Sequence, residues 1–161
     1  AIRWWLASDE LAYLDLMRQY IQAAALPYRK MANAPLFTGD PVAKLPKDPP
    51  CVITGLLVQV YSHAQAKRDY VAGQLGLAQV ALLLKAYHAE HGSYPDSPNK
   101  LGVLKGKPLP LDPFSGKSFI YRKQGTGFIL YSLGTNLKDD GGTPPPKGKA
   151  DEGDIVIKVT R

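Results

Sequence analysis

The sequence predicts an α+β fold in which one long helical spine is packed by a small antiparallel β-sheet, with an extra helix ahead of the spine. Three observations carry that expectation. Residues 52–91 lie in the longest stretch without proline, and their apolar residues recur in steps of three and four. Pro49 and Pro50 precede this stretch, and Gly92 with Pro95 stops it. Beyond it the pattern changes to short runs rich in β-formers, separated by Gly, Pro, Asp and Ser.

Taken from its start, the chain reads first as a helix from about Asp9 to Ala25, opened by Ser8, Asp9 and Glu10 and ended by Pro27. Leu11, Leu14, Met17, Ile21 and Ala24 fall on one face, and Trp4 and Trp5 read as an anchor packed on the spine, with an interfacial belt just outside a membrane as the other reading. A proline-rich connector follows to Pro50, with one helical turn near Arg29 to Asn33. The expected organisation is an N-terminal segment of residues 1–50 and a domain of residues 51–161.

The spine's predicted inward stripe is Ile53, Leu57, Val60, Ala64, Val71, Leu75, Ala78 and Leu82, interrupted at Arg68. A second row, Leu77, Ala81, Leu84 and His88, widens the apolar face toward the end, as a covering sheet would require. Residues 1–50 are expected to shield Ile53, Leu57 and Val60. Gly73 and Gly76 each weaken a helix by about 1 kcal/mol relative to Ala, which implies close packing of another element or a mild bend, with a functional hinge as the other reading. After the spine, Lys100 to Leu104 reads as a brief helical turn. Ser118 to Lys123, Gly127 to Leu133 and Asp154 to Thr160 read as strands, the first two joined as a hairpin.

The net charge of +6 invites a nucleic-acid reading, but its distribution argues against one. Up to His91 there are nine basic and seven acidic residues, and after it eleven and seven, so the excess is +2 and then +4 with no basic run. The single Cys51 forms no internal disulfide and reads as an inert thiol. Ser97 and Lys100 match S-x-x-K without its companion motifs, and His88 with His91 lack a third ligand at metal-binding spacing. An enzyme is therefore not expected. The remaining chemistry lies in the loop from Gly134 to Gly153 and just beyond it, with Asn136, Asp139, Asp140, Asp151, Glu152 and Asp154. Hard oxygens on a loop without regular structure suit calcium, and a solvated acidic loop is the other reading.

The ordered segments ALLLKAYHAEHGSYP, LPLDPFSGKSFIYR, GFILYSLGTNLKDDGG and a late DI resemble the C-terminal half of the major pseudopilin of type II secretion systems, over about Leu77 to Ile157. The resemblance implies a pilin-like fold without enzymatic activity, in which calcium ties the last loop to the sheet. The implied ligands are the Leu133 carbonyl, Asn136 and Asp154, with Asp139, Asp140 and Asp151 in reserve. Asn136 stands where the family has an acid, which lowers the charge of the site.

The chain departs from the family in carrying a helix and connector before the spine, and Lys67, Arg68 and Asp69 within it. It is accordingly expected to be the terminal domain of a larger membrane-anchored envelope protein, periplasmic or otherwise outside the cytoplasm. Assembly with protein partners, secretion or envelope components among them, is the function implied, with membrane contact only through a segment absent from this chain and no nucleic-acid partner. A ligand-binding or sensor module, using a groove between the N-terminal helix and the spine, is the alternative.

Overall fold

The computed structural model describes residues 2–33, 43, 45, 47, 51–101, 108–149 and 152–160, and only the backbone of Ile2 and of residues 58–63. Val60 and the latter part of the Lys100–Leu104 segment therefore lie outside what is described. The fold is α+β: a long helix packed against a three-stranded antiparallel sheet, with a further helix ahead of it. The chain forms two compact units, Ala1–Arg68 and Asp69–Arg161, divided in sequence within the long helix.

In the first unit, α1 spans Ile2–Ala24 and α2 spans Tyr28–Ala32, the turn expected after Pro27. Helix α1 begins well before Ser8, so the expected start at Asp9 is corrected. Asp9 is buried mid-helix and does not cap its own backbone. Its carboxylate reaches α3, which spans Val52–His91. The Ile53 and Thr54 backbone N–H groups donate to Asp9 Oδ2 and Oδ1 at 3.0 and 3.1 Å, and the Thr54 hydroxyl donates to Oδ1. Cys51 accepts the first helical bond of α3 from Gly55 but is no side-chain cap, so Asp9 serves the free donors of that first turn from another helix.

The buried face of α1 is not the one read from the sequence. Leu16, Tyr20 and Ala23 are buried with Tyr28 and Met31 of α2, while Leu11, Leu14 and Ile21 are exposed. The register is set by Asp9, which can reach Thr54 only if its own side of the helix faces α3. At the start of α3 the buried residues are Cys51, Thr54 and Gly55. Ile53 is exposed and Leu57 half-buried, contrary to the shielding expected for them.

In the second unit the correction repeats. Leu77, Val80, Ala81 and Leu84 of α3 are buried, whereas Val71, Leu75, Ala78 and Leu82 are exposed. The second row of the sequence reading is the packed one, apart from half-buried His88. The glycines decide this. A Cβ on Gly73 would lie 3.3 Å from the Phe114 ring and 3.5 Å from Ile155, and one on Gly76 would lie 2.7 Å from the Phe119 ring. Aromatic rings need that close backbone approach, so the covering layer settles on the glycine side rather than on the leucine side.

Strands β1 (Ile120–Gln124), β2 (Gly127–Ser132) and β3 (Ile155–Val159) follow their predicted places and form a sheet in chain order. Ile120 pairs with Tyr131, and Ser132 with Ile155. The central strand β2 is buried along its whole length, as its two apolar faces require. Among the described residues no helix is long and apolar enough to cross a membrane.

Candidate functional site

The 133–154 segment leaves β2 and returns as β3, and the two ends of its turn-rich course come together at Asp154. Gly134 (φ 70°) and Gly142 (φ 82°) take left-handed conformations, and a Cβ on either would sit 2.5 Å from Gly153 O or from the Ile129 side chain. The loop can therefore fold back on the sheet only with glycine at both positions. Asp154 N–H then donates to Thr143 O at 2.9 Å, and Gly142 N–H donates to Asp154 Oδ2 at 2.7 Å.

Asp154 is fully buried, and among the described residues its second oxygen, Oδ1, has no hydrogen-bond partner. Burial pushes its carboxyl above the usual carboxylate range. The Gly142 and Asp140 backbone N–H groups oppose that rise, and the charges of Asp140 and Asp139 add to it. A buried acceptor with one oxygen unserved, in a field made negative by two further carboxylates, has the character of a cation ligand.

The other sequence-predicted ligands are tied within the protein. Asn136 Nδ2 donates to Asp140 Oδ2 at 2.8 Å, and Asn136 Oδ1 accepts the Lys138 N–H at 3.0 Å. Asp139 Oδ1 accepts from Tyr131 Oη at 3.0 Å and from Gly141 N–H at 2.9 Å. Leu133 is half-buried at the end of β2, and Asp151 lies outside the described residues. Among the described residues, no three His, Cys, Asp or Glu side chains converge as a ready metal cage. Asp154 fits a cation, while Asn136, Asp139 and Asp140 would have to exchange the bonds they hold. A shallow depression of about 420 Å³ does gather Asn136, Asp140 and Glu152, but Asp154 does not line it.

Tyr131 anchors the outer side of the loop. Its hydroxyl accepts from Arg122 Nη2 at 2.6 Å and donates to Asp139, and the Arg122 guanidinium lies 5.4 Å from its ring centroid. Burial, together with the Asp139 bond, raises its phenol to about 12, so it serves as a neutral hydrogen-bond donor.

One functional feature was readable only as a turn. Asp112 is buried, and its Oδ1 accepts the Phe114 N–H at 3.1 Å and the Ser132 hydroxyl at 2.6 Å. Ser132 Oγ lies 3.4 Å from the Gly134 N–H, which donates to it. The Asp-Pro turn is thus bonded to the end of β2 where the loop departs. A buried acid in an Asp-Pro pair was the available signal, but its partner twenty residues away was not.

The remaining candidates have ordinary roles. His91 Nδ1 lies 3.0 Å from Tyr87 O and its ring stacks on Tyr87, while His88 tilts against Tyr94. Ser97 Oγ accepts the Asn99 N–H, and the Lys100 ammonium lies 3.6 Å from Asp96. Burial, and secondarily the Asp9 charge, pushes the Cys51 thiol up, away from reactivity.

With this geometry in hand, no family model, curated protein or solved structure matches the chain.

Proposed function

We propose that the chain is a non-catalytic, pseudopilin-like domain of a bacterial envelope protein, held outside the cytoplasm and serving assembly or protein interaction connected with type II secretion. One observation carries the reading: the short signatures that resemble the family are bonded into one patch. Gly92 ends α3, Tyr94 meets Phe128 edge-on at 4.8 Å, and Pro95 O accepts the Tyr121 hydroxyl at 2.7 Å. Asp112 of L-P-x-D-P holds Ser132 of Y-S-L-G, and Asp154 of the late D-I holds Gly142 of the loop. Signatures that met by chance in sequence would have no reason to share hydrogen bonds.

Calcium belongs to this reading. Asp154 supplies its free buried oxygen, and Asn136, Asp139 and Asp140 stand close in the same loop, with the Leu133 carbonyl at its root and Asp151 near its end. An ion that binds only the folded form stabilises it by mass action, by about 2.7 kcal/mol at a hundredfold excess over its dissociation constant. Calcium should raise the melting temperature of chelator-treated protein, and Asp154→Asn should abolish the rise. Calorimetric titration without heat, together with no melting shift at millimolar calcium, removes calcium from the reading.

A further inference from the structure

Helix α1 is apolar on two opposite sides. One side, with Leu16, Tyr20 and Ala23, is used inside its unit. The other runs Trp4, Ala7, Leu11, Leu14, Arg18 and Ile21, in alternating steps of three and four, and all six are exposed. Exposure reaches 64% at Trp4, 68% at Leu11, 53% at Leu14 and 72% at Ile21. A strict repeat of 3.5 residues is narrower than the stripe a helix turns toward a globular core; it is the seam by which one helix meets another.

We propose that this seam joins two copies of the chain, their α1 helices antiparallel about an axis between Leu11 and Leu14. In that register Leu11 meets the partner's Leu14, Trp4 meets the partner's Ile21, and Ala7 meets the partner's Arg18. The pairing is self-complementary. The small Ala7 leaves room for the long Arg18 side chain, and Glu10, one turn on from Ala7 and exposed beside the seam, lies within its reach. A parallel pairing would instead stack Arg18 on Arg18.

Two other occupants are disfavoured. Helix α3 exposes a seam of the same period, Ala64, Arg68, Val71, Leu75, Ala78, Leu82 and Lys85. Antiparallel self-pairing there about an axis between Leu75 and Ala78 sets Arg68 against Lys85, and parallel pairing stacks each on itself. A lipid surface fits α1 poorly, because Glu10 and Asp15 flank the seam where an interfacial helix carries Lys and Arg.

Sedimentation equilibrium of the full chain at micromolar concentration tests the contact, and it should return twice the 17.5 kDa chain mass. Leu11→Glu with Leu14→Glu should return the single mass with an unchanged circular dichroism spectrum, since both positions are exposed. Arg18→Glu should also dissociate the pair by facing the partner's Glu10, and adding Glu10→Arg should restore the doubled mass. Leu75→Glu should leave it doubled. A single mass at every concentration, a doubled mass that survives the Leu11 and Leu14 changes, or dissociation by Leu75→Glu would each overturn the proposal. So would binding to phosphatidylglycerol vesicles that Leu11→Glu abolishes, which would assign the seam to a membrane. The test needs no calcium, so failure of the calcium reading leaves it intact.

Discussion

Replacing Asp9 with alanine should destabilise the first unit far more than its place in a helix suggests. The carboxylate serves the Ile53 and Thr54 N–H groups and the Thr54 hydroxyl, and Thr54 is fully buried. Losing a helix cap costs about 1 kcal/mol, and leaving a buried donor unserved costs about 1–3 kcal/mol more. The expected loss is therefore about 2–4 kcal/mol, a large fraction of the stability of so small a unit. Both tryptophans, Trp4 and Trp5, lie on α1, so tryptophan fluorescence during urea unfolding reports on this unit. With a slope near 1 kcal/mol per molar urea, the midpoint should fall by about 2–4 M. The Thr54 hydroxyl keeps the residue-9 carbonyl as an acceptor at 3.0 Å, so the stranded donors are the Ile53 and Thr54 N–H groups. An Asp9→Ala midpoint within about 0.5 M of the parent would refute the trans-capping argument.

Three further outcomes follow. Gly76→Ala gains about 1 kcal/mol of helix propensity but forces a Cβ into the buried Phe119 ring, at a cost of about 1–3 kcal/mol. Its thermal melt should fall, whereas Gly73→Ala, whose contacts are 3.3–3.6 Å, should melt at or slightly above the parent. Asp112→Ala should lower the melting temperature and speed proteolysis near residue 134, because the Ser132 hydroxyl loses its acceptor while buried; equal protease resistance in parent and variant would remove the bracing role. The two buried acids should give opposite pH slopes without calcium. Burial would raise Asp9, but its bonds from Thr54 and Ile53 hold it below the usual range, so its stabilisation is lost as pH falls below about 4. Asp154 is raised, so its stabilisation is present below about 4 and is lost as pH rises through its elevated value. Asp154→Asn should flatten the second slope alone, as separate tryptophan and tyrosine fluorescence melts would show.

The extent of α3, the places of the strands and the hairpin of the first two were legible because proline, glycine and alternation act locally. Helix faces were not. Leu75 and Leu82 are the larger apolar residues, yet the Phe119 ring can approach only at Gly76, so the absence of a side chain there chose the buried side. Asp9 had the local signature of a helix start, but its donors lie 44 and 45 residues away. At the candidate site, Asp154 and Asn136 could be named from an oxygen-rich loop. The free oxygen of Asp154 and the Asn136–Asp140 pair depend on where the loop folds back, which composition does not encode.

The sheet ends in two short border strands, and both carry charge: exposed Arg122 and Lys123 on β1, and Lys158 on β3. An incoming backbone would have to bury those ammonium and guanidinium groups to extend the ladder, which guards the sheet against edge-to-edge growth and fibre formation. Any higher-order array of this domain would accordingly have to build sideways through its helices. Its β-layer would be carried along as a passenger, unable to template another copy.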